Sequence, residues 1–330
     1  MFAIITNNIG LASAVKLADI SAPIKMGNED IFIEHTAFGF NHEDFAIAMG
    51  RYPFGYYNKM LQAASNKILG LEATGTIIKV GSKVKHLQNG QRVFYTVGSL
   101  GSFCQKRVIH NSFVQPIPDN ISNDTVVSCM RKGLMVHSLL YKTVSIQKNS
   151  TLMVHNATDP LEQILCSWAS NVGLNVIGTV TKDEDKAIAK ANGCQLVINR
   201  EKENVVQIVS DHTEKKGVKI VFDSIGQGVE KESISCLGPF GIYIHYHSKN
   251  SFPNISASSL APKSLFLTTP SLELYKSNKT DLISGTDAVF KAIEKKYIKL
   301  PFTRVPIKNA HKIFQSYQDG NIDKNYILIP

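Results

Sequence analysis

The central part of the chain, residues 151–246, alternates short apolar stretches with helical patterns, and this alternation restricts the possible fold more than any other feature. The predicted strands are 151–155, 175–180, 196–198, 218–222 and 242–246, separated by predicted helices at 160–171, 182–192, 204–213 and 229–236. Short strands without polar alternation are typical of a sheet that is covered on both faces. The sequence therefore predicts an α/β fold whose parallel sheet carries helices on either side.

The flanking parts of the chain have a different pattern. The first third contains short strand-like stretches separated by turn signals such as Gly81, Asn89-Gly90 and the Pro-Ile-Pro of 116–118, which is typical of a β-barrel. After about residue 262 the pattern is mixed again, and it ends in a predicted strand at 326–329. These flanks are therefore expected to form a second, barrel-like part of the molecule.

The composition of the 330 residues excludes several classes of protein. With 43% hydrophobic and 19% charged residues, the chain is neither a disordered protein nor a coiled coil. No apolar run approaches the ~18 residues that a membrane span requires. The N-terminus also lacks the basic start that precedes the apolar part of a signal peptide. We therefore expect a cytoplasmic protein without a membrane span.

The cysteines and the net charge of +9 bear on metal and nucleic-acid binding. The five cysteines are widely spread and form no C-x-x-C pair, so they favour buried free thiols over a disulfide framework or a structural zinc site. The positive charge comes mostly from scattered lysines, which is compatible with a weak affinity for nucleic acid. A solvated lysine surface is the favoured interpretation, because no basic stripe or interleaved aromatic residues accompany the charge.

Several short strings occur together in the order and spacing of one known family. They are 41–44 (NHED), 50–53 (GRYP), 70–75 (GLEATG), 132–134 (KGL), 177–180 (IGTV), 197–199 (VIN), 223–226 (DSIG), 268–272 (TTPSL) and 328–330 (LIP). With these strings the chain resembles the zinc-free NADPH:quinone oxidoreductases (zeta-crystallin type) of the medium-chain dehydrogenase/reductase superfamily. No single string is specific, but their common order is, and the resemblance covers nearly the whole chain.

The resemblance implies a fold, a reaction and an assembly. A Rossmann-type doubly wound parallel sheet at 122–262 would be inserted into a GroES-like, partly open β-barrel domain made of 1–121 and 263–330. The activity would be reduction of a quinone or enone by direct hydride transfer from NADPH, without a metal. Members of the family usually form homodimers through the edge of the Rossmann sheet.

Zinc is excluded on separate grounds. Leu71 stands where zinc-dependent relatives carry a histidine, and leucine cannot bind zinc. His245 and His247 share one face of a predicted strand, but no third ligand lies near them in the sequence. We therefore predict no metal site.

The glycine-rich turn after the first strand of the cofactor domain is where this chain departs most from the family. Asp159, Pro160 and Glu162 occupy its three glycine positions. They predict a capped helix: Asp159 as N-cap, Pro160 as the first helical residue, and Glu162 closing a capping box. Two carboxylates would then face the incoming diphosphate, and one such contact at ~4 Å costs about 4 kcal/mol at an effective dielectric constant near 20. The affinity for a dinucleotide is therefore expected to be reduced.

Two functional hypotheses follow. In the first, the chain is an NADPH-dependent quinone or enone reductase; Asn41 and Asp44 line the substrate side, and Tyr52 or His247 donates a proton. The resemblance then assigns the cofactor to Ser138, Pro160, Leu161, Thr181, Lys182, Arg200, Ile225, Tyr246, His247, Ser248, Pro270, Ser271 and Leu272, with Thr181, Lys182 and Arg200 at the 2′-phosphate. In the second, the chain is a non-catalytic relative that keeps the fold and has an interaction role or a weak RNA-binding role.

Overall fold

A computed structural model describes residues 1–23, 25–52, 56–63, 67–96, 98, 100–246, 252–272, 278–320 and 324–330. The described residues form two compact units, one containing 1–131 and 300–330 and the other containing 132–272 and 280–299. The domain boundaries predicted from the sequence lie at 121/122 and 262/263, and the boundaries between the two units lie elsewhere. Residues 266–268 lie in the sheet of the second unit, where they pair with the strand before them.

The first unit contains nine strands and four helices among the described residues. The strands are β1 (Phe2–Thr6), β2 (Val15–Asp19), β3 (Asp30–Gly39), β4 (Glu72–Val80), β5 (Arg92–Tyr95), β6 (Lys106–His110), β7 (Gln115–Pro116), β14 (Thr303–Pro306) and β15 (Tyr326–Ile329). The helices are α1 (His42–Ala48), α2 (Tyr56–Ala63), most of α3 (Asn123–His137), and α10 (Ala310–Gln318). A sheet in the order β14-β15-β3-β4-β5-β7, with β6 also on β3, gives the predicted GroES-like part of the fold.

Aromatic residues fill the core of this first unit. Phe40 packs edge-on against Phe314 at 5.1 Å between ring centroids, and against Tyr317 at 5.0 Å. Phe38 contacts Phe103 in the same way at 6.0 Å. Buried aromatic pairs of this geometry contribute beyond their buried area. The two Phe40 pairs join the residue just after β3 to helix α10, although about 270 residues separate them in the chain.

The second unit is built on six parallel strands. They are β8 (Thr151–Val154), β9 (Asn175–Val180), β10 (Leu196–Asn199), β11 (Val218–Asp223), β12 (Leu237–His245) and β13 (Phe266–Thr268), in the order β10-β9-β8-β11-β12-β13. In order of occurrence this is 3-2-1-4-5-6, the doubly wound arrangement of dinucleotide-binding domains. The predicted parallel sheet is therefore confirmed, with a sixth strand that the sequence did not reveal.

The helices of the second unit follow the predicted alternation. They are α4 (Pro160–Asn171), α5 (Lys186–Ala191), α6 (Val205–His212), α7 (Glu230–Cys236), α8 (Ala257–Leu260) and α9 (Lys279–Glu294). Helix α4 has the predicted bounds, because Pro160 can begin a helix but cannot lie inside one. Helix α5 begins at Lys186 and not at 182, since Asp183–Asp185 form a separate 3-10 turn. The five cysteines are buried and form no disulfide bond, as predicted.

Among the helices in the described part of the chain, none is long and apolar enough to cross a membrane.

Candidate functional site

Most of the predicted cofactor residues directly follow the carboxyl ends of the parallel strands. Pro160 and Leu161 come after β8, Thr181 and Lys182 after β9, Arg200 after β10, Ile225 after β11, Tyr246 after β12, and Pro270, Ser271 and Leu272 after β13. Because all six strands run in the same direction, these positions lie along one edge of the sheet. In open α/β sheets, ligands bind outside this edge, at the point where the strand order reverses. Here that point lies between β8 and β11.

The turn after β8 is tight even though it contains no glycine. Asn156 takes the left-handed backbone conformation (φ 51°), which asparagine tolerates better than most residues. The N–H of Ala157 then donates to the carbonyl of Thr179 at 2.9 Å, which ties the turn to β9. Gly178 makes this approach possible, since a Cβ there would lie 2.8 Å from the Cβ of Ala157. Asn156 and Gly178 therefore preserve the tight turn that a glycine motif would otherwise make.

The start of α4 is only partly as predicted. Asp159 is the N-cap, with extended φ and ψ of −71° and 152°, and Pro160 is the first helical residue. The predicted capping box is wrong: the side chain of Asp159 makes no capping hydrogen bond, and Glu162 is turned inward and only 3% exposed. The Glu162 carboxylate accepts a hydrogen bond from the buried hydroxyl of Tyr246 at 3.1 Å. Glu162 therefore pairs with a residue beyond β12 and not with its own helix start.

Tyr246 is fixed as a hydrogen-bond donor by this contact. Its side chain is fully buried, and burial together with the neighbouring Glu162 carboxylate raises the pKa of the phenol well above its usual value. The phenol therefore keeps its proton at every physiological pH. A buried carboxylate bound to such a donor is much less costly than one without a partner.

A second buried carboxylate organises the turn after β11. Asp223 accepts hydrogen bonds from the N–H groups of Ile225 at 2.7 Å and Gly226 at 3.1 Å. It also accepts from the hydroxyl of Tyr243 and contacts Nδ1 of His245 at 3.2 Å. Burial on its own would raise the pKa of Asp223, but the contacts with His245, His155 and Tyr243 outweigh it and lower the pKa. Asp223 therefore holds Ile225 at the edge of the sheet as a carboxylate.

The residues after β9 and β10 form a charged surface. Thr181 and Lys182 are exposed, while Arg200 is half-buried and lies 3.5 Å from the carboxylate of Glu201. Asp183, which follows Lys182 directly, is bound by Lys202 at 2.7 Å and by Asn199 at 2.9 Å. Hydrogen bonds from these two residues lower the pKa of Asp183 to about 2. Asp183 is therefore engaged by Lys202, while Lys182 and Arg200 add positive charge at this end of the edge.

In the first unit, Asn41 and Asp44 lie in a buried polar cluster with Glu72 and Arg131. Asn41 precedes α1, and its backbone N–H donates to the Asp44 carboxylate at 2.8 Å. The side-chain amide of Asn41 donates to Glu72 at 3.1 Å, and Glu72 also accepts from the backbone N–H of Arg131 at 3.0 Å. The Arg131 guanidinium lies 3.3 Å from Glu43 and donates to the carbonyl of Thr96 at 2.6 Å. These contacts join α1, β4 and α3.

Burial has a strong effect on the acid of this cluster. Asp44 is completely buried, and desolvation raises the pKa of its carboxyl to about 8, although the hydrogen bond from Asn41 opposes the shift. Asp44 is therefore mostly protonated at neutral pH.

Glu72 can approach the cluster only because residue 39 is glycine. A Cβ at residue 39 would collide with the Glu72 carboxylate and with the carbonyl of Val127.

Of the other predicted residues, Tyr52 lies near the buried cluster, where it interacts electrostatically with Arg131, Ser138 lies elsewhere, and two are outside the described part of the chain. Tyr52 is half-buried and stacks edge-on against Tyr57 at 5.3 Å. Ser138 is buried at the end of α3, where its carbonyl accepts from Thr143. His247 and Ser248 lie outside the described residues.

Sequence reasoning missed three charged residues with structural roles. Glu72 was visible within the G-x-E-x-x-G string, so its acid could have been singled out. Arg131 carried no such signal, because its partners Glu43 and Glu72 are 88 and 59 positions away. Asp223 was visible in the string 223–226, but its role as an acceptor for the turn that follows was not.

No group of three or more potential metal-binding side chains occurs in the part of the chain that the structure describes. Leu71, at the position of the zinc-binding histidine of related enzymes, is buried at 3% exposure.

Two family descriptions match this chain. Residues 27–119 match the alcohol dehydrogenase GroES-like domain, and residues 160–246 match the domain described as zinc-binding dehydrogenase. The first match lies within the first unit, and the second spans the sheet from α4 to the end of β12. Both parts of the predicted fold are therefore matched separately.

Individual relatives match across most of the chain. Quinone oxidoreductase 1 of Escherichia coli is 29% identical over 313 residues, which is 93% of each chain. The 2-haloacrylate reductase of a Burkholderia species is 30% identical over 232 residues, covering 69% of this chain and 70% of the relative. Among solved structures, the E. coli quinone oxidoreductase complexed with NADPH superposes over 100% of both chains with a TM-score of 0.91 at 28% identity.

Proposed function

The chain belongs to the quinone oxidoreductase branch of the medium-chain dehydrogenase/reductase superfamily, and from this premise we propose that it reduces quinones or activated enones with NADPH. The observation that supports this most is the edge of the second unit's sheet. Six parallel strands in the order 3-2-1-4-5-6 bring most of the predicted cofactor residues to one edge. The relatives named as reductases agree with this proposal, and they give no support to the non-catalytic alternative.

The residues at this edge suit a phosphorylated dinucleotide in two respects. No acid directly follows β9, where NAD-specific domains carry one for the ribose 2′-hydroxyl. Lys182 and Arg200 can instead hold a 2′-phosphate, and a guanidinium matches phosphate geometry well. The bound cofactor supplies the hydride, and the protein orients it and its substrate.

The helix start at α4 suits the diphosphate less well. Pro160 removes one N–H donor that a glycine would offer, and the Asp159 carboxylate lies at the N-terminal end of the helix. Glu162 lies in the first turn of α4, but its carboxylate faces inward and is bound by Tyr246. We propose that binding therefore depends more on Arg200 and Lys182, and less on the helix start, than in proteins with the glycine motif.

Asn41 and Asp44 remain the proposed residues on the substrate side. They are 3% and 0% exposed, and their hydrogen bond also shapes the start of α1. Tyr52 is the half-buried candidate for the proton donor. We propose that the homodimer is formed through β13, one of the two edge strands of the described sheet, whose Phe266 and Leu267 are 59% and 42% exposed.

A titration of NADPH into the purified protein, followed by nicotinamide fluorescence at low ionic strength, tests the cofactor. NADH is titrated in parallel, and oxidation of NADPH is then followed with 1,4-benzoquinone and with an enone. We expect micromolar binding of NADPH that is tighter than that of NADH, and quinone-dependent oxidation. If neither cofactor binds up to millimolar concentration, the reductase proposal fails and the non-catalytic alternative gains support.

Two sets of variants examine how the cofactor is held. Arg200→Gln should weaken NADPH binding about tenfold, equivalent to ~1.4 kcal/mol, with little effect on NADH. Lys190→Gln is the matched control, because this exposed lysine lies in the last turn of α5, away from the carboxyl ends of the strands. Asp159→Gly combined with Pro160→Gly should tighten binding of both cofactors, and it leaves the bond between Glu162 and Tyr246 intact.

A further inference from the structure

The first unit contains a cavity of about 370 Å³, and its described lining residues include none of the proposed cofactor or substrate residues. The cavity lies between the N-terminus, the segment after β2, and the start of β6. Its volume is within the ~300–1,000 Å³ range of small-molecule sites. It therefore has room for a ligand of its own within a single unit.

The walls of the cavity combine apolar and basic side chains. The apolar part is formed by Ile20, Pro23, Met60, Ile68, Leu100 and Val108. Among the described residues of the lining, the charged side chains are Lys67, Lys106 and Arg107, and none is acidic. All three are half-buried, so their aliphatic stems belong to the wall. An apolar lining with converging charges of one sign suits a ligand with an apolar body and a group of the opposite sign.

Arg107 is held in place by several contacts. Its guanidinium donates to the carbonyl of Leu100 at 3.1 Å and to the hydroxyl of Tyr95 at 3.2 Å, and it lies over the Tyr95 ring at 5.2 Å. The Tyr95 hydroxyl in turn contacts Nε2 of buried His35 at 3.0 Å, and Nδ1 of His35 lies 2.6 Å from the carbonyl of Cys104. A donor held in this way loses little conformational freedom when a ligand binds.

Lys67 has an unusual backbone, and the local charge balance is positive. Lys67 takes the left-handed conformation (φ 44°), which residues other than glycine adopt rarely and which is common at ligand sites. Glu34 lies 3.3 Å from Lys106, and Asp19 lies 2.8 Å from the N-terminal amine of Met1. Among the described residues around the cavity, Lys67, Lys106, Arg107 and the N-terminal amine therefore outnumber these two acids.

We propose that this cavity binds a small organic anion, a carboxylate with an apolar body, through Lys67, Lys106 and Arg107. The apolar wall holds the body of the ligand, and the basic groups hold the carboxylate. Inorganic phosphate lacks the apolar body, and the corresponding alcohol lacks the charge. The site does not depend on the proposed reductase activity.

Calorimetric titration with sodium octanoate tests the site, with octanol and inorganic phosphate titrated in parallel and without any dinucleotide. We expect octanoate to bind at least about tenfold more tightly than either of the other two. Equal binding of octanoate and octanol would overturn the role of the basic residues. Equal binding of octanoate and phosphate would overturn the role of the apolar wall.

Variants locate the binding. Lys67→Gln should weaken octanoate binding about tenfold, and Ile68→Trp should abolish it by filling the cavity. Lys85→Gln is the matched control, because this exposed lysine hydrogen-bonds to the carbonyl of Ser82 and does not line the cavity. Circular dichroism checks that each variant is folded. Arg107 is not substituted, because its guanidinium also donates hydrogen bonds to the carbonyl of Leu100 and the hydroxyl of Tyr95. Unchanged octanoate binding in both folded variants would refute the proposal.

Discussion

Asp44 offers a direct test of how the buried cluster of the first unit is built. Its carboxyl is completely buried, and desolvation raises its pKa from 3.8 to about 8. In the unfolded chain this carboxyl ionises near pH 4, whereas in the folded protein it stays protonated until about pH 8. Between these values the unfolded state loses a proton that the folded state keeps, so ionisation of Asp44 lowers the free energy of unfolding as the pH rises.

The size of this effect follows from the shift. Each pKa unit corresponds to about 1.4 kcal/mol, so the contribution should change by about 4 kcal/mol between pH 5 and pH 8. Asp44→Asn removes the titration but keeps a side-chain carbonyl that can accept from the N–H of Asn41. Any fixed cost of placing the amide there is the same at each pH. The difference in stability between wild type and variant should therefore move by about 4 kcal/mol in favour of the variant as the pH rises.

Urea unfolding followed by circular dichroism at pH 5, 6, 7 and 8 measures this difference. Titrations of other groups occur in both proteins and largely cancel. Asp119→Asn is the control, because Asp119 is exposed, and its curve should run parallel to that of wild type. If the curves of wild type and Asp44→Asn are also parallel from pH 5 to pH 8, the carboxyl is not held protonated and the reasoning about its desolvation is wrong.

Three further predictions concern the second unit. Tyr246→Phe should lower the free energy of unfolding, measured by urea unfolding, by about 1–3 kcal/mol, because it removes the hydroxyl that donates to buried Glu162. Tyr326→Phe is the control. Equal stability of the two variants would contradict the role of this hydrogen bond. Asn156→Ala should destabilise by about 1 kcal/mol and Asn156→Gly should not, because the residue has φ 51°; thermal unfolding that ranks the two the other way round would contradict it. Phe266→Glu should turn a dimer into a monomer, as measured by light scattering coupled to gel filtration. Phe252→Glu is the control and should leave the dimer intact, because Phe252 is 48% exposed and lies outside any strand. A dimer that survives Phe266→Glu would exclude β13 as the dimer interface.

Much of the second unit could be predicted because its signals are local. Helix α4 and strand β9 have the predicted bounds, since Pro160 and a run of apolar residues mark them within a few positions. Strand β13 was missed because three residues at a sheet edge, with Phe266 and Leu267 exposed, carry no pattern of their own. It is a strand only because β12 offers it hydrogen-bonding partners.

The candidate site divides in the same way. The alternating pattern was enough to predict that residues after successive strands would meet at one edge, because parallel strands place their carboxyl ends together. The sequence also determined that Asp159 and Pro160 would begin a helix, since capping depends on neighbours in the chain. The burial of Asn41 and Asp44 was not determined in this way, because Glu72 and Arg131, their neighbours in the cluster, come from distant elements.

Glu162 shows the reason most clearly. Its spacing from Asp159 predicts a capping box, a bond at the protein surface that contributes about 1 kcal/mol. Tertiary structure places the hydroxyl of Tyr246, 84 positions away, beside the same carboxylate. Once the side chain is buried, a hydrogen bond to this hydroxyl outweighs the surface bond, because a buried acceptor without a donor is costly. The sequence identifies hydrogen-bond partners that are close along the chain. Partners that are distant along the chain, and buried together away from water, are known only from the folded structure.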